Sequence, residues 1–272
     1  MSLMKLWIVF FGFTLSTTFN AQVLENSGPT STAMAGLNVN NTNLWSLNNN
    51  IGQLVNIQNS QIGVSIYQPF LLKEFTTSNL ILAIKNNNKA FGLNYSNYGN
   101  EFLQINNAGF GYSMKLSENL QSGIKLNYFH FNAGEYYNNK SVFTADIGLN
   151  ATLSQELDIN LSIKNPTLTN LDDFDNEKIP TIMQFGIGYK FSEQLSLNTG
   201  INKNIAYPTS FLAAINYQPT KKISLKGGIG TQPTIAAFGI GVNLKLFELN
   251  FATQIHQILG WSPDFSITYK FE

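Results

Sequence analysis

Apolar and polar residues alternate one for one through most of this chain. Phe91, Leu93 and Tyr95 interleave with Gly92, Asn94 and Ser96, and Phe143, Ala145, Ile147, Leu149 and Ala151 interleave with Thr144, Asp146, Gly148 and Asn150. A period of two is the mark of a strand with one apolar face. The same phase runs over 62–66, 80–84, 108–114, 124–128, 157–163, 183–191, 195–201, 211–217, 223–229, 238–244, 249–255 and 265–271, which gives fourteen strands in all. Three near-repeats punctuate them: KLSENL at 115–120, TLSQEL at 152–157 and KFSEQL at 190–195. Their serines, Ser117, Ser154 and Ser192, lie 37 and 38 residues apart, room for two strands, a tight turn and one longer loop. The chain is built in hairpin units.

Connections fall into two kinds. Short polar turns (NNNK, SEN, SQE, SEQ, QPTKK, KLFE) alternate with longer, irregular segments such as 132–139, 165–178 and 256–264. Short turns at one end and long loops at the other predict an up-and-down antiparallel barrel of the outer-membrane type. A β-propeller needs four strands per repeat, and only two fit here. A soluble barrel or sandwich would bury the apolar phase, and alternation alone does not exclude it. Three features favour lipid on the apolar side. None of the fourteen apolar phases carries a charge, and each would cost about 2 to 4 kcal/mol at the bilayer midplane. The opposite phase, rich in glycine, serine, asparagine and lysine, is too small and polar for a packed core. Aromatics gather at strand ends: Tyr95, Tyr98, Tyr128, Phe143 and Trp261 toward the long loops, Phe91, Phe191, Tyr217 and Phe271 toward the short turns, as interfacial girdles do. The expected fold is therefore an all-β, 14-stranded antiparallel transmembrane β-barrel in a bacterial outer membrane, with outer-membrane lipids as its surroundings.

The two chain ends add detail. Lys5 followed by an apolar run to about Leu15 and a small-residue site at Ala21 reads as a signal peptide over 1–21. At the other end, Phe265, Ile267, Tyr269 and Phe271 resemble the terminal strand by which the barrel assembly machinery recognises its clients, with Glu272 as one extra residue. Cysteine is absent, which excludes a lipoprotein anchor, disulfides and thiolate chemistry. All sixteen basic residues are lysines, balanced by sixteen acids. That balance argues against nucleic acid as a partner.

Fourteen strands enclose more space than small inward side chains fill, so water or a plug must occupy the lumen. Residues 22–59 precede the barrel proper (60–272) and contain Met34, Gly36, Leu44, Trp45, Leu47, Asn49, Ile51 and Gly52. A solvated tail has no use for such an apolar cluster, so this segment is expected as a plug or hatch at the periplasmic mouth. Ala33, Met34, Ala35 and Gly36, followed by Asn49, Asn50, Ile51, Gly52 and Gln53, resemble the A-M-G-G-A and N-P-A-x-L stretches of FadL-related outer-membrane barrels, particularly those of the PorV and PorQ type. Asn50 replaces the proline, and the leucine falls one place late at Leu54. The resemblance implies a non-enzymatic accessory role in type IX secretion, with secretion-system proteins as partners. The alternatives are a FadL-like channel for small hydrophobic molecules and a structural barrel that docks periplasmic partners.

Little else in the sequence carries chemistry, and no pattern asks for a cofactor. His130, lipid-facing near the long-loop rim, has Ser141 as a conceivable partner on the next strand, the arrangement of a membrane lipase; a girdle histidine is the simpler expectation. His256 points inward at the same rim. Asp172, Asp173, Asp175 and Glu177 lack the ligand order and central glycine of a calcium loop. Lys115, Lys190, Lys245 and Lys270 fall on the inward phase near the short turns, joined by Lys85, Lys221 and Lys222. Such a fringe attracts anions or an acidic partner, or simply keeps charged heads in water.

Overall fold

A computed structural model describes residues 28–132, 139–170 and 179–272. The expected signal peptide and the acidic stretch Asp172 to Glu177 lie outside the described residues. The strands are β1 Gln61–Tyr67, β2 Thr77–Asn86, β3 Lys89–Gly99, β4 Gln104–Lys115, β5 Leu120–Asn132, β6 Lys140–Thr152 and β7 Leu157–Lys164. They continue as β8 Ile182–Lys190, β9 Leu195–Asn204, β10 Ser210–Thr220, β11 Ile223–Thr231, β12 Thr234–Asn243, β13 Phe247–His256 and β14 Gly260–Lys270. Each strand pairs antiparallel with its sequence neighbours, and β1 closes the sheet on β14, so the fourteen strands form a closed barrel. No edge is left to template aggregation.

The burial pattern is inside out. Leu126, Phe143, Ile187, Phe211 and Ile229 are exposed on the outer face, whereas inward Asn94, Asn127, Asn160 and Ser266 are buried. A continuous apolar belt of this size around a whole barrel has no place in water, and lipid is its natural solvent. The ladders are regular except between Tyr217 and Thr220, where the β10–β11 register shifts at Pro219, a residue that cannot donate to a ladder.

The repeated serine has a physical role in the turns. Ser154 Oγ accepts from the backbone N–H of Glu156 and Leu157, each at 3.2 Å. Ser192 Oγ accepts from Gln194 at 3.2 Å and Leu195 at 3.1 Å, and Thr220 does the same for Lys222 and Ile223 at 3.3 and 3.2 Å. A short hydroxyl satisfies turn donors that the ladder leaves over. Behind each serine turn a backbone bond closes the loop, Leu116 to Leu120, Leu153 to Leu157 and Phe191 to Leu195, at 2.8 to 2.9 Å.

Three expectations need correction. The far end of the barrel is less loop-rich than the sequence implied: 68–76 and 165–181 are long connections, but β11 and β12 are joined by 232–233 alone and β13 and β14 by 257–259. Tyr98 is no girdle residue. It faces the lumen, 8% exposed, and stacks on Phe75 with ring centroids 6.4 Å apart, because strand β3 places even-numbered residues inward. Lys245 lies in the turn between β12 and β13 and not on an inward strand phase, with its side chain 87% exposed.

Candidate functional site

The lumen is occupied by the N-terminal segment, residues 28–59. Helix α1 (Pro29–Ala33) starts with proline in its first turn, and Gly28 before it takes φ 83°, a left-handed conformation that glycine tolerates. A side chain at Gly28 would also collide with the ring of Trp45, 2.5 Å from its Cδ2. Asn43 Oδ1 accepts from the Trp45 N–H at 2.9 Å, and Ser46 Oγ donates to Asn41 O at 2.7 Å; together they fold the chain into helix α2 (Ser46–Asn49). Asn50 Oδ1 then caps the 3₁₀ turn Ile51–Asn56 through the Gly52 N–H at 3.1 Å.

Two apolar clusters pin this plug to the wall. Leu44, Trp45, Leu47, Ile51, Leu54, Val55 and Ile57 pack with Ile81, Ala83 and Ala90 of β2 and β3. Met34, Leu37 and Val39 pack with Leu212 and Ala214 of β10. The site residues expected from the sequence thus sit inside the barrel, not at its mouth: Met34, Leu44, Trp45, Asn49 and Ile51 are all at most 3% exposed. Gly36 takes φ 86°, and Gly52 lies against the Gly148 backbone.

The wall is shaped to receive them. A Cβ built on Gly92 would lie 2.6 Å from Leu47; on Gly200, 2.6 Å from Leu37; on Gly239, 2.6 Å from Ala33; and on Gly228, 2.4 Å from the Met34 backbone. On Gly123 and Gly148 it would meet the backbone around Ile51 and Gly52, at 2.7 and 2.6 Å. Inward glycines therefore form a belt that lets plug and wall approach closely. Polar bonds fix the register. Gln184 accepts from the N–H groups of Asn38 and Val39 at 2.9 and 2.8 Å and donates to Gly36 O at 2.9 Å. Ser162 donates to Asn49 O at 2.8 Å, Gln53 to Asn160 Oδ1 at 2.6 Å, and Thr32 to Asp264 Oδ2 at 2.7 Å. Lys85 donates to the carbonyl of Val55.

The plug divides the interior. On the short-turn side lies a vestibule of about 570 Å³ lined by amides, hydroxyls and charges, among them Asn41, Gln121, Asn160 and Lys226. On the far side, a smaller cavity of about 80 Å³ has a wholly different lining. Tyr98, Ile105, Phe129, Ile179 and Ile182 give it apolar surface, and Thr77, Asn79, Ser96, Asn107, Asn127, Thr144, Lys125, Asp146 and Lys164, with Asn48 of the plug, give it polar and charged groups. Lys125 Nζ donates to Asn48 Oδ1 of the plug at 2.7 Å.

Three of the rim lysines are in ion pairs. Lys190 pairs with Asp158 at 3.4 Å, Lys245 with Glu272 at 3.0 Å, and Lys270 with Glu248 at 3.1 Å; Lys115 stands at the edge of the vestibule. Part of the expected positive fringe is thus tied up in ion pairs, while Lys221 and Lys222 line the vestibule with Lys115; a solvent-exposed pair such as Lys245–Glu272 contributes about 0 to 1 kcal/mol. Phe265 and Ile267 face outward on β14, where Ile267 pairs with Val64 and Leu249. Tyr269 packs on Phe271 and Phe247 with ring centroids 5.3 and 5.2 Å apart.

His130 does reach Ser141, Nδ1 to Oγ 2.9 Å, and Tyr128 OH meets the same oxygen at 2.9 Å. Among the described residues no carboxylate or amide orients His130, so a girdle chain of tyrosine, serine and histidine is what the outer rim holds. His256 Nδ1 accepts from Ile258 and Leu259 N–H at 3.2 Å and serves the β13–β14 turn. Among the described residues no cluster of histidine and carboxylates is placed to hold a metal.

Sequence reasoning missed the glycine belt and the charged lining of the pocket on the far side of the plug. Strand phase places Lys125 and Lys164 inward, but nothing in their spacing sets them apart from the other inward lysines. No protein-family model matches the chain, and no curated protein matches it in sequence. Solved structures do match. The toluene transporter TbuX of Ralstonia pickettii superposes with a TM-score of 0.74 at 12% identity, covering 92% of this chain and 99% of TbuX. The monoaromatic hydrocarbon channel CymD gives 0.73 at 12% identity, covering 92% and 98%. A FadL homologue of Pseudomonas aeruginosa gives 0.62 at 11% identity, covering 90% and 98%. The likeness is one of fold: a closed 14-stranded barrel of the architecture found in these transport proteins.

Proposed function

We propose that this chain is an outer-membrane passage for small, largely apolar molecules, closed to ions by its own N-terminal segment. The observation that carries this reading is the partly apolar pocket that meets the plug at Asn48, inside a barrel that shares its fold with hydrocarbon channels. Tyr98, Ile105, Phe129, Ile179 and Ile182 offer a small molecule an apolar receiving surface, and such surface is worth roughly 25 cal/mol for each Å² removed from water. A wet general pore is a poor alternative, because the plug fills the lumen with buried side chains.

The passage reading takes precedence over the accessory secretion role that the 33–36 and 49–53 stretches imply, since those residues are engaged in packing within the lumen. The test is uptake of labelled toluene by intact cells whose outer membrane carries the chain. Uptake should be faster than in cells without it. Unchanged uptake, together with secretion proteins co-purifying in mild detergent, would favour the accessory role.

A further inference from the structure

Five polar residues stand side by side on the outer face of the barrel, near the long-loop end of β2 to β6. The register pairs Ser78 with Asn97, Asn97 with Asn106, Asn106 with His130 and His130 with Ser141. Directly opposed residues on one face have Cβ atoms about 4.5 to 5.5 Å apart, so the five form one row. The next outward row toward the bilayer centre is Leu80, Tyr95, Ala108, Tyr128 and Phe143, and the one beyond it is Leu82, Leu93, Phe110, Leu126 and Ala145. Polar, aromatic and aliphatic rows in that order follow a lipid leaflet from its head groups inward. That order sets the polar row at head-group level.

Two features go beyond the wet end of a sheet. The aromatic row has a gap, because Ala108 is exposed between Tyr95 and Tyr128. Tyr128 is braced from behind by Phe143, with ring centroids 5.1 Å apart. A methyl group between two phenol rings leaves a notch, and Phe110, exposed, continues its line toward the bilayer centre. The tyrosine hydroxyls on either side also organise the polar row. Tyr95 OH donates to Asn106 Oδ1 at 2.7 Å, joined there by Asn97 Nδ2 at 2.9 Å. Tyr128 OH and His130 Nδ1 both meet Ser141 Oγ, each at 2.9 Å. These bonds take the acceptor of Asn106 and one ring nitrogen of His130. They leave, side by side at the head of the notch, the Asn106 amide N–H groups and His130 Nε2, a donor when Ser141 passes its proton to Nδ1. Asn97 Oδ1, an acceptor, stands on the far side of Asn106 from His130, and the row contains no carboxylate.

A phosphate accepts from two neighbouring donors at once, and hydrogen bonds to a charged acceptor are the strong ones. We propose that the outer face of β3 to β5 holds one phosphate-headed lipid. Its phosphate accepts from Asn106 Nδ2 and His130 Nε2, and one acyl chain descends over Ala108 between Tyr95 and Tyr128. The site lies on the outside of the barrel and is independent of the passage through it.

The test adds dioleoyl phosphatidic acid, dioleoylglycerol or inorganic phosphate to the full detergent-solubilised chain and reads retention by native mass spectrometry. One phosphatidic acid should be held per barrel, about tenfold more tightly than dioleoylglycerol, and inorganic phosphate should not be retained. Asn106→Asp keeps the acceptor for Tyr95 and Asn97 but replaces the donor with a carboxylate, and should abolish retention. His130→Leu should weaken it about tenfold, the worth of one hydrogen bond to a charged group. Ala108→Phe fills the notch and should weaken it as much. Ala213→Phe, at an outward position of β10 far from the row, should change nothing and shows that the barrel accepts such a substitution. Phosphatidic acid held no better than dioleoylglycerol would overturn the proposal, as would full retention by Asn106→Asp or by Ala108→Phe. Inorganic phosphate held as tightly as the lipid would also overturn it, since the notch would then contribute nothing. Toluene uptake by cells carrying these variants should match the parent, so the lipid site and the passage are read separately.

Discussion

Valine at both Gly123 and Gly148 is expected to drive the plug from its seat and turn a silent barrel into an ion-conducting one. At Gly148 a new Cβ lies 2.2 Å from Asn50 Oδ1 and 2.6 Å from the Gly52 nitrogen; at Gly123 it lies 2.7 Å from the Ile51 carbonyl oxygen. The Gly52 nitrogen and the Ile51 carbonyl are backbone, held by the Asn50 cap and the Ser162 bond to Asn49, so moving the Asn50 side chain alone does not relieve the clash. Overpacking of this kind costs about 1 to 3 kcal/mol at each site, and valine adds two further methyl groups in the same gap. The strand ladder makes its own backbone hydrogen bonds around the full circle, so the barrel should survive while the plug yields. Planar-bilayer recordings provide the readout. Gly227→Val is the control, since a Cβ there meets nothing closer than 3.7 Å and the barrel should stay closed. A double variant as silent as the parent would mean that the belt does not seat the plug.

Trp45→Ala should loosen the same segment from the other side. Trp45 is 2% exposed, lies across Gly28, and belongs to the larger apolar cluster with Leu44, Leu47 and Ile51. Truncating a buried tryptophan to alanine costs about 3 to 5 kcal/mol. Much of this loss should fall on docking of the plug, because Trp45 belongs to the cluster through which Leu44 and Leu47 meet Ile81, Ala83 and Ala90 of the wall. Limited proteolysis should then cut within residues 28–59 while the strands resist. Simultaneous loss of plug and barrel would instead show that the two fold as one cooperative unit.

Strand number and closure were legible in the sequence because lipid imposes a rule on every outward position. Leu126, Ile187 and Phe211 must be apolar wherever they fall, so the period of two survives along the whole chain. The interior obeys no such rule. Whether an inward residue is glycine, asparagine or lysine depends on which part of the plug it meets, and that contact joins residues far apart in sequence: Gly52 with Gly148, Ala33 with Gly239. No local periodicity records it. The plug's apolar cluster was therefore visible, but its depth in the lumen was not. Tyr98 illustrates the same limit: an aromatic near a strand end fits a girdle until the strand phase is counted, and the phase turns it inward. Lys125, Asp146 and Lys164 were also readable as inward, yet their adjacency appears only once β5, β6 and β7 are in register.

The position of the plug can be tested directly because the chain has no cysteine of its own. Cysteines introduced by Ala33→Cys and Gly239→Cys would bring together a plug helix and a wall strand whose Cβ positions lie 2.6 Å apart. A small outward shift of the helix reaches the about 3.5 to 4.5 Å between Cβ atoms that a disulfide prefers. In the folded, detergent-solubilised protein the bond should form on mild oxidation without added cross-linker. Reduced cysteines that persist under oxidation in a folded barrel would place the N-terminal segment outside the lumen and contradict the closed passage.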